Sequence, residues 1–284
     1  MTVKMRASKA LFLQKVVTKA LLLAAVCCPF AFADELIIPG SGNPELVVRA
    51  LADAFGRQQT QHRVVVPPTT GTAGALRDVE SGASVLGRVG RPLNAEELAR
   101  GLTYIPLGRD PVVFVGGAGV SVKGLTSQQL LDTYSGRQTN WRDLGGKPGA
   151  IRAIGRESTD ASRQAINRVI KPFQSIVFGE GIKLVHLDTQ MIELLDRFPS
   201  SLGFLNRSAL AASKTKLVYL SVDGVEPTPQ NVGVGRYPIW LEFGLIHKSG
   251  ALSPAARAFV GFVQSPAGLL VLRAQGVLAA SGSQ

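Results

Sequence analysis

Three stretches of the chain set glycine, hydroxyl and amide residues, in the third case with an arginine, in front of a helical pattern. They are Gly40-Ser41-Gly42-Asn43-Pro44, Gly71-Thr72-Ala73-Gly74, and Gly155-Arg156 followed by Ser158-Thr159-Asp160-Ala161-Ser162-Arg163. The first turn of a helix has unpaired N–H donors and a partial positive charge, so the chemistry such loops can perform is the holding of an anion. Gly40 and Gly42 permit a tight turn and close backbone approach, and Pro44 suits the first helical position. Each loop also has a plainer reading, in which Ser41, Asn43 or Asp160 simply caps its own helix.

Other chemistries find no footing. His62, His186 and His247 are far apart in sequence and lack metal-ligand spacing, and the Asp and Glu residues form no pair placed for acid–base work. Ser41 has no Gly-x-Ser-x-Gly setting with a partner His and acid. Trp141 and Trp240 read as packing residues rather than stacking platforms. No enzyme activity, metal or cofactor is expected.

The elements that must position the three loops alternate between helical patterns and short apolar strands, which argues for an α/β protein. Leu36-Ile37-Ile38, Arg63 to Val66 and Ile151 to Ile154 are strands that run into the loops. Leu46, Val47, Ala50, Leu51, Ala54 and Phe55 mark the face of the first helix; Ala75, Leu76 and Val79 mark the second, and Ile166, Val169 and Ile170 the third. Leu102 to Leu107 and Val112 to Val115 read as two strands around a turn at Gly108 to Pro111. Further helices are expected over Ser127–Tyr134, Gln190–Arg197, Pro254–Gln264 and Ala267–Gln275, and further strands near Leu184–Leu187, Lys216–Val222 and Ile239–His247.

Residues 1–33 read as a secretory signal peptide cut before Asp34. Lys4, Arg6, Lys9, Lys15 and Lys19 form a basic leader, Leu21 to Phe32 a short apolar core, and Ala31-Phe32-Ala33 a cleavage site. Cys27 and Cys28 both fall inside it, and Val26 is a poor residue to precede a lipidated Cys27. The remainder then has no cysteine and must be held by its core rather than by disulfides. Five of the 31 basic residues lie in the leader, leaving 26 against 20 acidic residues, a net charge near +6. That favours anions. With no long Lys/Arg run and only 6% aromatic residues, nucleic acid is not an expected partner.

Taken together, in order and spacing, the loops and their neighbours resemble the phosphate-binding periplasmic proteins of bacterial ABC importers. The resemblance rests on Gly40-Ser41-Gly42, Gly71 to Gly74, Gly87 to Leu93, Asn140-Trp141 with Leu144-Gly145-Gly146, Arg156 with Ser158 to Arg163, Leu202-Gly203-Phe204, Asp223-Gly224 with Pro227-Thr228, Tyr237-Pro238, Ser265 to Gly268, and Gly276. It implies a two-lobed, type II periplasmic binding fold hinged on two strands. One lobe would hold residues 34–115 plus 214–284 and the other 116–213. It also implies a periplasmic, monomeric protein that carries phosphate or another small oxyanion to a membrane permease. By the same resemblance, Ser41 and Gly42, Thr72 and Gly74, Arg156, and Asp160, Ala161 and Ser162 would hold the anion, with Arg88 and Arg91 either assisting or merely solvated.

Two positions depart from the family pattern. Gly90 has no side chain where the family often has an acid or a serine, and Asp160 stands in place of a serine. A carboxylate about 4 Å from a unit negative charge is repelled by roughly 4 kcal/mol at an effective dielectric near 20. A shared proton would remove that cost: hydrogen phosphate carries one, and sulfate at neutral pH does not. Asp160 is therefore either a selector of protonated oxyanions or the N-cap of its own helix. If these departures mark a drifted pocket, the chain would be a sensor or interaction module instead.

Overall fold

The computed structural model describes residues 34–280, so the expected leader lies outside the described residues. β1 (Asp34–Ile37) and β2 (His62–Val65) pair in parallel and are joined by α1 (Glu45–Gln58), which buries Val47, Val48, Leu51, Ala52, Ala54 and Phe55 on one face. α2 (Gly71–Glu80), β3 (Gly87–Val89) and α3 (Ala95–Ala99) follow. Then comes the long β4 (Leu102–Gly116), the short β5 (Gly124–Leu125) and α4 (Ser127–Tyr134), whose N-cap Thr126 and Gln129 cap each other reciprocally. β6 (Arg152–Arg156), α5 (Ala161–Val169), β7 (Lys183–Val185), α6 (Asp188–Arg197) and β8 (Ser201–Asn206) form the middle of the chain. β9 (Val218–Val222), α7 (Pro229–Gly233), β10 (Trp240–Lys248), α8 (Pro254–Gln264), α9 (Pro266–Ala274) and β11 (Leu278–Ala279) complete it. No single helix among the described residues is long and apolar enough to cross a membrane.

The large sheet runs β3-β10-β4-β8-β6-β7, with β9 and β11 also on β4. β4 pairs antiparallel with β10 along its first ten residues, then with β8 and β9 from Val112 onward. The turn expected at Gly108 to Pro111 does not form. Gly108, Arg109, Asp110 and Pro111 instead lie opposite Phe243, Glu242, Leu241 and Trp240. Long-range pairing overrides the local turn chemistry here, and the irregularity shows only as a register shift between Phe243 and Gly244 beside Pro106.

That stretch is where the apolar core changes. Leu36, Val47, Leu51, Phe55, Leu107, Phe243, Leu245 and Phe259 belong to one core, with residues drawn from 36–107 and 243–277. Phe114, Tyr134, Phe173, Phe204, Leu220, Ile239 and Leu241 belong to the other, drawn from 112–241. The fold is two-lobed α/β, and β4 and β10 are the strands that pass between the cores. Residues 218–241 pack with the middle segment, and the cores change near 111 and 241. The reason is that β9 adds to β4 and β5, and Ile239 and Leu241 follow it into that core.

Arg88 staples the front of the first core. It is fully buried and donates to the carbonyls of Ile38, Ser41 (2.9 Å) and Pro67 (2.8 Å) and to the Glu45 carboxylate (3.1 Å). Its own carbonyl accepts from the Ser41 amide at 2.9 Å. Gly40, at φ +135°, runs so close beneath it that a Cβ there would sit 2.0 Å from that oxygen. Arg88→Met strands three buried carbonyls, and urea denaturation should show a loss of about 3–5 kcal/mol.

Candidate functional site

A cleft of about 830 Å³ opens between the two cores. One wall carries Ser41, Gly42, Asn43, Thr69, Gly71, Thr72, Gly90, Arg91 and Pro92, and the other Arg156, Thr159, Asp160, Ala161, Gln164, Arg168, His186, Leu187 and Asp188. Trp240, Leu241 and Glu242 of β10 line the cleft between them.

On the first wall two helices begin at the cleft, and neither Pro44 before α1 nor Thr70 before α2 supplies a side-chain cap. The Glu45 amide is bonded to the Gly42 carbonyl and the Gly71 amide to Thr69, and the later first-turn amides keep donors to offer. The loops are locked from behind. Thr69 Oγ1 donates to the Gly40 carbonyl (3.0 Å) and accepts from the Gly71 amide (3.1 Å), and Thr72 Oγ1 accepts from the Gly90 amide (3.2 Å). A Cβ on Gly90 would lie 2.7 Å from Ser41 Oγ, so the bare glycine leaves the hydroxyl its place. Arg91 is spent on a bidentate pair with Glu97 at 2.7 and 2.8 Å.

On the second wall Arg156, at the end of β6, is held from both sides. It donates to Asp188 Oδ1 and to Asp160 Oδ2, each at 2.6 Å, and to the His186 carbonyl at 3.1 Å. Its Nε has no partner among the described residues. Burial works against the charge of Arg156, but Asp188 and Asp160 outweigh it and hold the guanidinium above its ordinary pKa. Burial pushes the Asp188 carboxyl up to about 6 while Arg156 pulls it back. Asp160 Oδ1 accepts from the Arg163 amide at 3.0 Å, so the N-cap reading of Asp160 holds and its other oxygen is on Arg156. α5 is thus capped by a carboxylate, unlike α1 and α2.

Of the expected site residues, Ser41, Gly42, Thr72, Arg156, Asp160, Ala161 and Arg91 come together on the cleft. Gly74, Ser162 and Arg88 do not line it. Gly74 is packed under Thr70, Ser162 is fully buried inside α5, and Arg88 is the staple described above. Asp188, absent from the expectation, makes one of the two shortest contacts to Arg156. It is 32 residues away in sequence and arrives through the β6–β7 pairing, for which no local signal exists. Asn43 of the first loop, Gln164 and Arg168 of α5, His186 after β7 and Trp240 of β10 also join the lining. The lining holds three arginines and three carboxylates, counting Arg91, Arg156 and Arg168 against Asp160, Asp188 and Glu242, and is not a basic funnel. No cluster that could hold a metal ion occurs among the described residues.

Below the cleft, Asp110 of β4 is completely buried. Its carboxylate accepts from the Ser208 hydroxyl (2.5 Å), the Ser208 amide (3.2 Å) and the Asn206 side chain (3.0 Å). Burial pushes it up to about 7, against the pull of those hydrogen bonds.

The model for the PBP superfamily domain matches residues 31–267. The chain belongs to the PBP superfamily. Among its relatives within that superfamily is the phosphate-binding protein PstS of Bacillus subtilis, 28% identical over 238 residues that cover 82% of this chain and 76% of the relative. PstS of Borreliella burgdorferi is 24% identical over 194 residues, covering 66% and 70%. Among solved structures, a Clostridium perfringens protein assigned to a phosphate ABC transporter, with phosphate bound, superposes with a TM-score of 0.74 at 24% identity, covering 87% of this chain and all of that one. A phosphate transport receptor of Vibrio cholerae gives 0.63 at 20%, covering 86% and 100%. At these identities the structural likenesses bear on the fold alone.

The buried Asp110 makes stability depend on pH. Its folded pKa lies above the ordinary carboxylate value of about 4, so its contribution is complete below pH ~4 and is lost as pH rises through about 7. The melting temperature of the ligand-free protein should therefore fall from pH 5 to pH 8, and fall less in Asp110→Asn.

Proposed function

We propose that the chain is an extracytoplasmic phosphate-binding protein that delivers its ligand to an ABC importer. The observation that carries this reading is the convergence on one cleft of two helix N-termini whose N-cap residues supply no side-chain bond and a buried arginine. Backbone donors hold an oxyanion without a full countercharge, and the arginine supplies charge and direction. The relatives named as phosphate-binding proteins, at up to 28% identity, support the same reading. Binding, not catalysis, is its work. The importer, the periplasmic location and a monomeric state follow the same relationship. A lobe boundary near 111 and 241 fits the change of core better than one at 115 and 214.

The arginine's two carboxylates decide which oxyanion fits. With both ionised, the Arg156–Asp160–Asp188 triad carries a net −1. Phosphate brings a proton that a carboxylate oxygen can accept, whereas sulfate brings only negative charge. Proton-bearing oxyanions are therefore favoured, and the selector is the pair Asp160 and Asp188 rather than Asp160 alone. A drifted, ligandless pocket is the weaker reading, since the first-wall loops remain locked in a binding posture.

In a thermal-shift measurement phosphate at a hundredfold its dissociation constant should stabilise by about 2.7 kcal/mol, and sulfate far less. Arg156→Ala should abolish the phosphate shift. Asp188→Asn removes one negative charge and should tighten sulfate binding by about tenfold, read by calorimetry. A phosphate shift that survives Arg156→Ala would place the site elsewhere.

A further inference from the structure

Four buried polar side chains connect the two cores beneath the cleft, and only one of them touches it. Asn206 ends β8 and Asp110 lies in the crossing part of β4; both are completely buried, as is Ser208. The two N–H groups of the Asn206 amide are shared among three acceptors, Asp110 (3.0 Å), the Ser208 hydroxyl (2.9 Å) and the main-chain carbonyl of Asn43 (3.3 Å). The Asn43 amide donates back to Asn206 Oδ1 at 3.5 Å. Asn43 belongs to the first anion loop and lines the cleft. One residue into α1, Leu46 packs partly buried against the core of residues 112–241. The start of α1 is therefore seated on the opposite lobe by an apolar contact and a polar one.

We propose that Asp110, Asn206 and Asn43 form a buried polar tie between the lobes, through which Asp110 and Asn206 act as positioning residues for the anion loop Ser41–Asn43. The inference rests on the phosphate reading and deepens it. A buried polar network costs desolvation that an apolar filling would not, and its return is a single geometry. Here that geometry is specified where the strands cross from one core to the other. Asp110 orients the Asn206 amide, and Asn206 reads both the main chain and the side chain of Asn43, which sets the height at which the first turn of α1 meets the cleft. Closure of the lobes would pivot about this tie, because it lies beside the crossing strands.

The test is calorimetry with inorganic phosphate, well below the melting temperature, on wild type, Asn206→Ser, Asn206→Ala, Asn43→Ala and the double variant Asn43→Ala/Asn206→Ala. Asn206→Ser keeps a hydroxyl for Asp110 and cannot span to Asn43, so it reports even if Asn206→Ala does not fold. The expected result is a loss of phosphate affinity of about tenfold for Asn206→Ser and Asn206→Ala. The double variant should be no more than about twofold weaker than the weaker single one, because both changes cut one tie. A purely structural Asn206 would lower the melting temperature and leave the dissociation constant of the folded protein alone. Variants at 206 that bind within twofold of wild type, or losses that multiply, overturn the tie while leaving the phosphate reading intact. A wild type that does not bind phosphate overturns both.

Discussion

A guanidinium buried between two carboxylates is the constraint on which the cleft depends. Arg156 makes 2.6 Å contacts with Asp160 and Asp188, and a guanidinium buried in that position needs carboxylate pairing to offset its desolvation. The same pairing leaves the triad with a net negative charge when both acids are ionised. Attraction for an anion must then come largely from elsewhere. It comes from the first turns of α1 and α2, whose N-cap residues Pro44 and Thr70 make no side-chain bond to them. The division of labour is between backbone donors on one lobe and a charge-balanced arginine on the other, with carboxylate oxygens at hand to accept a ligand proton.

The second dependence is on Arg88. It spans Ile38, Ser41, Glu45 and Pro67, and so fixes the two uncapped helix starts relative to one another. Burial lowers its pKa, and Glu45 opposes that shift. Gly40 and Gly90 belong to this arrangement. Each is a glycine because a neighbour stands where a Cβ would go, the Arg88 carbonyl in one case and the Ser41 hydroxyl in the other. A side chain at position 90 would have to displace the Ser41 hydroxyl from its present place.

Much of this was legible in the residues. The three loops, the helices behind them, the resemblance to periplasmic phosphate-binding proteins and the α/β architecture follow from local signals: glycine turns, hydroxyl caps and 3.6-residue apolar periodicity. Local signals run out where a residue's surroundings are set by distant partners. Arg88 looked like a loose cation because its acceptors are main-chain carbonyls that no pattern announces. Asp188 escaped notice because sheet pairing brings it to Arg156. Gly108 to Pro111 looked like a turn because its residues are turn residues, yet pairing with β10 draws them into a crossing strand. Ser162 and Gly74 were assigned by resemblance to positions that face into their own helices' packing. For Arg88, Asp188 and Gly108 to Pro111, tertiary pairing outweighs local signals.

The most direct test of the account is a structure of the protein with phosphate bound. Phosphate oxygens should lie within hydrogen-bond distance of first-turn amides of both α1 and α2 and of the Arg156 guanidinium, with Asp160 and Asp188 still on the arginine and one of their oxygens facing a protonated phosphate oxygen. Phosphate bound away from Arg156, or an arginine that abandons both carboxylates to clamp the ligand, would contradict it.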